Sequence, residues 1–284
     1  MSLFYVNGHY VPRAHAMLPV EDRATQFGDS VYEVIALQEG GLIDAEPHFA
    51  RLERSLAELS IPLPMPIAAL KLICREVIRR NRRRDGGLYI QITRGVAPRL
   101  HAFPADITPS VVVCVLNARW PSDAVVAKGV GARILPDIRW GRRDIKTTGL
   151  LPNVLGKQAA LDSGAKEAIF VEPDGTVTEG SATNLFIITA EGELWTHPTD
   201  THILCGVTRN VILALAKAQG IPVREQRFTR EALMAAREVF VSGTVSRLTP
   251  IVRLDDTPVG NGLPGEITLS LWRALTAHCE AQVA

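Results

Sequence analysis

Asp137-Ile-Arg-Trp-Gly-Arg-Arg-Asp-Ile-Lys-Thr-Thr-Gly-Leu-Leu-Pro-Asn-Val-Leu-Gly-Lys157 runs from a charged segment into an apolar one, and Lys146 stands at the change. Lysine is scarce in this chain: 6 lysines and 25 arginines make up the 31 basic residues. A chain that takes arginine for its surface charge has reason to keep a lysine where a guanidinium cannot serve. A primary amine can lose its proton and attack a carbonyl, and a guanidinium cannot. Asp-Ile before Lys146 and Thr-Thr-Gly-Leu-Leu after it set the amine at the edge of an apolar, helix-like run. Schiff-base chemistry asks for such a setting. Taken alone, the segment also fits a surface lysine at a loop edge.

Working outward, 284 residues make one large domain or two medium ones, long enough for a substantial core. A hydrophobic fraction of 46% is that of a globular protein, and a net charge of +1 points to no acidic partner. The densest basic run, Arg79-Arg-Asn-Arg-Arg-Arg84, has no interleaved aromatic residue. It reads as a solvated helix end, where cations offset the exposed carbonyl dipoles, rather than as a nucleic-acid patch. Cys74, Cys114, Cys205 and Cys279 have neither zinc-site nor disulfide-framework spacing, so no metal is expected. No window approaches a membrane-spanning length, and the first residues carry no basic stretch followed by an apolar one. The expected compartment is the cytoplasm, with no membrane partner.

Before the linker, Ser2–Val6 and Tyr10–Val11 flank Asn7-Gly8-His9, a hairpin signal. Val31–Leu37 is a β-rich run. A helix follows in which Phe49, Leu52, Leu56 and Leu59 share one face, and a second helix spans about Ala68 to Arg80. Leu88–Thr93 and Ser110–Leu116 read as strands. These pieces predict a two-layer α/β domain over 1–116 and a linker over 117–124. The C-terminal α/β domain, 125–284, is expected to carry Lys146. Its predicted strands include Gly129–Leu135, a Glu167–Thr178 hairpin around Pro-Asp-Gly, Leu185–Thr189 with Glu193–Trp195, Glu238–Ser242 and Pro250–Leu254. Its predicted helices are Val154–Asp162, Val207–Ala218 and Glu266–Glu280.

Several polar groups bear on chemistry. Arg51 projects from the first helix, and an arginine fork fits phosphate oxygens. Gly206-Val-Thr-Arg opens a helix whose free N–H groups form an anion site, with the Thr208 hydroxyl beside them. Val241-Ser-Gly-Thr244 offers another glycine-opened hydroxyl. In Thr176-Val-Thr-Glu-Gly-Ser-Ala-Thr-Asn184 the carboxylate of Glu179 sits at a strand end, placed to meet a ring nitrogen. Each also has a plain structural reading as a surface arginine, a helix start, a turn or a solvated acid.

Together with Glu21-Asp-Arg-Ala-Thr-Gln-Phe-Gly-Asp-Ser-Val-Tyr-Glu33, His48-Phe-Ala-Arg-Leu52 and Thr93-Arg-Gly-Val-Ala-Pro-Arg-Leu-His101, these segments arrive in an order and spacing that resemble the fold-type IV pyridoxal-phosphate aminotransferases. The D-amino-acid transaminases are the nearest in pattern, and the likeness covers nearly the whole chain. The resemblance implies a mixed α/β fold of two domains, a small two-layer one and a larger one with a pseudo-barrel sheet. It implies pyridoxal 5'-phosphate as cofactor. Lys146 looks like the lysine of the internal aldimine and proton shuttle, and Glu179 like the partner of the pyridine nitrogen. Arg51 looks like the main phosphate anchor, helped by Val207, Thr208 and Thr244, with Leu204 against the ring face. Tyr32, Arg99 and His101 look like the clamp for the substrate carboxylate, Arg99 and His101 reaching in from the other subunit of a homodimer. The implied reaction is ping-pong transfer between a D-amino acid and a 2-oxo acid. The chain departs from some relatives at Gly243, at Arg247 and in Pro152-Asn153, all outside this core. On the same scaffold stand two alternatives, a branched-chain L-amino-acid aminotransferase and 4-amino-4-deoxychorismate lyase. A nucleic-acid binder acting through Arg79–Arg84 is the non-enzymatic alternative.

Overall fold

The computed structural model describes residues 2–283. The chain divides into two compact units, one of residues 2–119, 145–149 and 282–283, the other of residues 120–144 and 150–281. Asp123–Lys128, which begins at the end of the expected linker, forms a short helix. The placement of Lys146 differs from the sequence expectation: Ile145–Gly149 belongs with the first unit. The reason is β-pairing. The Tyr32 amide donates to the Lys146 carbonyl at 3.0 Å, the Thr148 amide donates to the Ser30 carbonyl at 3.2 Å, and Val31 bridges Thr147.

In the first unit, β1 (Leu3–Val6), β2 (His9–Pro12), β3 (Ser30–Gln38), β4 (Gly41–Leu42), β5 (Gly86–Thr93) and β6 (Ser110–Leu116) form an antiparallel sheet in the order β2-β1-β6-β5-β3-β4. Asn7 and Gly8 turn β1 into β2 with φ of 44° and 94°, the left-handed pair that a tight hairpin needs. Helices α1 (Arg23–Phe27), α2 (Ala45–Glu58) and α3 (Ile67–Asn81) complete the unit. Side chains alternate along a strand, so Val31, Glu33 and Ile35 share one face of β3. On that face Val31, Ile35, Leu88, Ile90 and Val113 meet Phe49, Leu52 and Leu56 of α2 and Leu70, Cys74 and Val77 of α3. Glu33 is a fully buried carboxylate within this apolar layer.

In the second unit, α4 (Asp123–Lys128), β7 (Val130–Pro136), α5 (Leu151–Asp162), β8 (Glu167–Val171), β9 (Val177–Gly180), β10 (Asn184–Ile188), β11 (Leu194–Thr196), α6 (Val207–Ala218), β12 (Val223–Glu225), α7 (Arg230–Met234), β13 (Glu238–Gly243), β14 (Arg247–Leu254), β15 (Thr257–Pro258) and α8 (Glu266–Glu280) follow one another. The nine strands form one mixed sheet in the order β12-β11-β10-β13-β14-β7-β8-β9, with β15 on β14. Strand β7 is parallel to both β14 and β8, and β11 is parallel to β12. Phe186 and Phe240 are paired across β10 and β13 and stack with centroids 4.7 Å apart. Glu238 caps α8 from a distance, accepting the amides of Ile267 at 3.3 Å and Thr268 at 2.8 Å. Among the described residues no helix is long and apolar enough to cross a membrane.

Candidate active site

The first unit carries Lys146, Tyr32, Arg51, Arg99 and His101. Lys146 Nζ lies 4.3 Å from the centroid of the Tyr32 ring, and that ring stacks on Tyr89 with centroids 5.7 Å apart. Pairing of residues 146–148 with the start of β3 therefore sets the amine over a β3 side chain. Thr148 and Ser30 join their hydroxyls in the same turn, and Thr147 Oγ1 donates to the Gly28 carbonyl at 3.3 Å.

Arg51 is buried one helical turn beyond His48, so both side chains lie on the α2 face that covers Glu33. Its Nε and Nη2 donate to Glu33 Oε1 and Oε2 at 2.7 and 2.9 Å, a two-pronged pair, while His48 Nδ1 meets Oε2 at 2.8 Å. Burial alone would push the Glu33 carboxyl up. The charge and hydrogen bonds of Arg51, then those of His48, outweigh it and hold the carboxyl down at about 2. Burial pushes His48 down, toward the neutral ring, against the pull of Glu33. Sequence reasoning singled out Arg51 but not Glu33 or His48, although both fall within quoted segments.

Arg99 and His101 are exposed on a loop, with Arg99 Cζ 5.2 Å and the His101 ring 5.4 Å from the centroid of Phe27. The loop is tied from beneath. Buried Arg23 donates to the Leu100 carbonyl at 2.6 Å and to Asp29 at 2.7 Å. Arg94 donates to the same Asp29 at 2.7 Å and lies 3.6 Å from the Phe103 ring centroid.

The second unit carries Glu179, Leu204, Val207, Thr208 and Thr244. Glu179 is buried at the end of β9. Its Oε2 accepts the Asn184 side-chain amide at 3.0 Å and the Leu204 backbone amide at 3.1 Å. Its Oε1 accepts Arg139 Nη1. Arg139 is in turn gripped by Asp137, which takes Nε at 3.0 Å and Nη2 at 2.7 Å, and Thr178 Oγ1 donates to the same Asp137 at 2.7 Å. Burial is the largest influence on Glu179 and pushes its carboxyl up; Arg139 opposes this and Asp137 adds to it. Asp137 is held below its usual range: burial raises it, and the Arg139 hydrogen bond and charge more than offset that. Arg139 and Asp137 were in the opening stretch of the sequence, and their i, i+2 spacing was the available sign of a local ion pair.

Val207 and Thr208 are the first two residues of α6, whose N-cap, Gly206, provides no side-chain hydrogen bond. The first-turn amides are thus left for another acceptor. Thr244 is half-buried in the turn from β13 to β14, after Gly243. Ser242 pairs with Asn184 across the strands, on the same face, and its buried hydroxyl has no hydrogen-bond partner. Of the departures, Arg247 has a φ of 47° and lies over the Trp120 ring, 4.5 Å from its centroid. Asn153 donates to the Ser181 carbonyl at 2.8 Å.

The chain as a whole is similar to several known proteins. D-alanine aminotransferase of Bacillus licheniformis is 40% identical over 95% of this chain and 94% of its own. That of Staphylococcus haemolyticus is 38% identical over 99% of both. Among solved structures, the branched-chain amino acid aminotransferase of Escherichia coli superposes with a TM-score of 0.92 at 28% identity, covering 100% of this chain and 96% of that one. The branched-chain aminotransferase of the archaeon Thermoproteus uzoniensis, solved with norvaline, gives 0.85 at 27% identity, covering 97% and 93%. The model of the amino-transferase class IV family matches residues 30–254, four-fifths of the chain and nearly every group described above, so the chain belongs to that family.

Proposed function

We propose that this protein is a pyridoxal 5'-phosphate-dependent aminotransferase that moves an amino group from a D-amino acid such as D-alanine to a 2-oxo acid. The observation that carries the reading is the cage of Glu179. It is a buried carboxylate whose partners are all N–H donors, on a chain 37–40% identical over nearly its full length to D-alanine aminotransferases. Such a carboxylate fits a protonated ring nitrogen. The unpartnered Ser242 hydroxyl and the uncapped start of α6 suit the polar edge and the phosphate of the same cofactor. When bound, pyridoxal phosphate supplies an electron sink for the carbanion at the substrate's α-carbon.

The chain's own residues do the rest. Lys146 Nζ would hold the cofactor and would be the group that takes the α-proton and returns it. Glu179 keeps the ring nitrogen protonated. The amides of Val207 and Thr208 and the hydroxyl of Thr244 hold the phosphate, with Leu204 against the ring face. Arg51 joins them by sharing its guanidinium with Glu33. Tyr32 meets the substrate carboxylate, and Arg99 and His101 reach it from a second copy, so the working form is a homodimer. The exposure of Arg99 and His101 supports this part of the reading.

The test is borohydride trapping of the purified protein with pyridoxal phosphate, followed by peptide mapping. The adduct is expected on Lys146 and absent from Lys146→Ala, whose turnover drops at least about a thousand-fold. An adduct on another lysine sinks the assignment. The structural neighbours named for branched-chain substrates favour one rival, an L-amino-acid enzyme. Racemic alanine and racemic leucine, scored by chiral chromatography with 2-oxoglutarate present, separate the two. Consumption of L-leucine with D-alanine untouched reverses the choice of hand.

A further inference from the structure

We infer that Arg139 is the positioning residue that decides where the proton between Glu179 and the cofactor nitrogen resides. The inference rests on the proposed function and on a count of lone pairs. A carboxylate has about four acceptor positions, two on each oxygen. On Glu179 Oε2 both are taken, by the Asn184 side chain and the Leu204 amide. The orientation of Asn184 is fixed, because its Nδ2 also donates to the Leu204 carbonyl at 2.8 Å, and a carbonyl can only accept. On Oε1 one position is taken, by Arg139. One acceptor position is left, on the oxygen Arg139 already holds, and it is the one available to a pyridinium N–H.

Sharing that oxygen has a direct chemical consequence. The proton between a carboxylate and a pyridine resides on the more basic of the two. Burial makes Glu179 more basic than an ordinary carboxylate, and Asp137 adds to this. Arg139 is the largest opposing influence, and it withdraws electron density from Oε1 itself. With Arg139 present the acid is a weaker base than it would be alone, which favours the proton on the ring nitrogen. Without it the proton moves to Oε1, leaving a neutral acid against a neutral pyridine, with no net change in protons. A neutral pyridine is a poorer electron sink. Asp137 holds Nε and Nη2 of Arg139, leaving Nη1 directed at Glu179.

The experiment is nitrogen NMR on holoenzyme carrying cofactor isotopically labelled at the ring nitrogen, with the cofactor's dissociation constant measured beside it. The wild type is expected at the pyridinium position. Arg139→Gln is expected to move toward the neutral pyridine position and to release cofactor about ten-fold more readily. Arg139→Lys, which keeps a cation, is expected to stay nearer the wild type. Because Arg139→Gln leaves Asp137 short of donors, the double variant Asp137→Asn with Arg139→Gln guards against loss of folding, and a smaller shift in the same direction is expected in it, since the Asp137 charge no longer raises Glu179. A pyridinium position unchanged in folded Arg139→Gln and in the double variant, with cofactor held as tightly, overturns the inference and leaves the proposed function standing. A wild type that takes up no pyridoxal phosphate overturns both.

Discussion

Each unit has a carboxylate buried against an arginine, Glu33 against Arg51 in the first and Glu179 against Arg139 in the second, and these two acids are driven in opposite directions. Glu33 is held at about 2 by Arg51, while Glu179 is raised despite Arg139. Burial is the first influence on both, and both lie in low-dielectric surroundings, so depth does not separate them. The sharing of the cation does. Arg51 gives both Nε and Nη2 to Glu33, and His48 adds a third contact. Arg139 gives Nε and Nη2 to Asp137 and only Nη1 to Glu179. A second acid on the same guanidinium both dilutes the attraction and adds repulsion. The first arrangement stabilises a fold; the second leaves an acid of adjustable basicity, which is what a cofactor partner needs.

The largest expected effect breaks the first arrangement. Glu33→Ala takes away the two-pronged partner of the buried Arg51 guanidinium, and breaking a buried ion pair by removing one side costs roughly 3–5 kcal/mol. The urea-unfolding midpoint of the cofactor-free protein should fall accordingly. A loss below about 1 kcal/mol would show that Arg51 finds water or another acceptor, and the contrast between the units would lose its structural half.

Next comes pH. Glu33 has a folded value of about 2 against an ordinary 4.5. Its contribution is complete above about 4.5, where folded and unfolded chains are both ionised, and fades as pH falls toward about 2. That contribution is on the order of 3 kcal/mol, and Glu33→Gln should remove the slope in that window. Glu179, raised, works with the opposite sign: the folded chain keeps its proton to higher pH than the unfolded one, so stability falls as pH rises above 4.5 through the folded value. Glu179→Gln should therefore flatten a decline, where Glu33→Gln flattens a rise. Unfolding midpoints of the cofactor-free variants from acid to neutral pH check both signs, and slopes of the same sign would refute the comparison.

This contrast also marks how far the sequence could be read. Hairpins such as Asn7-Gly8 and helix faces such as Phe49, Leu52 and Leu56 follow from local rules, and they stand where the pattern put them. The five-residue α1 escaped because its signals are only a cap at each end: Asp22 accepts the Ala24 amide at 2.9 Å, and Gly28 closes it at a φ of 68°. Glu33 was legible as part of a strand, but an acid on the apolar face of a strand has no meaning until α2 brings Arg51 and His48 over it. Lys146 stood out by its chemistry, yet its pairing with β3 joins segments far apart in sequence and carried no local mark. Glu179 could be picked by type and position, while the division of Arg139 between two acids is a property of side-chain forks in space.

A milder cut tests the divided arginine. Glu179→Gln keeps an acceptor for the Leu204 and Asn184 amides, and Arg139 retains Asp137. The expected cost to the cofactor-free protein at neutral pH is about 1–2 kcal/mol, the scale of one altered charge-assisted hydrogen bond. If Glu179→Gln costs as much as Glu33→Ala, Arg139 depends on Glu179 as Arg51 does on Glu33, and sharing is not what separates the two acids.

The smallest effect belongs to an ion pair that water can reach. Lys71 Nζ meets both oxygens of Glu46 at 2.6 Å, closer than most contacts of the buried acids, but the Glu46 side chain is 78% exposed. Short distance does not make a strong pair when solvent offers either partner an equal alternative. Glu46→Gln should shift stability by no more than about 0.5 kcal/mol, and that shift should vanish in high salt. Lys71 has a second attachment, its ammonium lying 5.2 Å from the Phe49 ring centroid. Lys71→Met should therefore cost somewhat more, about 0.5–1 kcal/mol, with less dependence on salt. A loss above about 1 kcal/mol in Glu46→Gln, unchanged by salt, would mean that proximity outranks burial in this protein. The opposite titration of Glu33 and Glu179 would then need another cause than the way their arginines are shared.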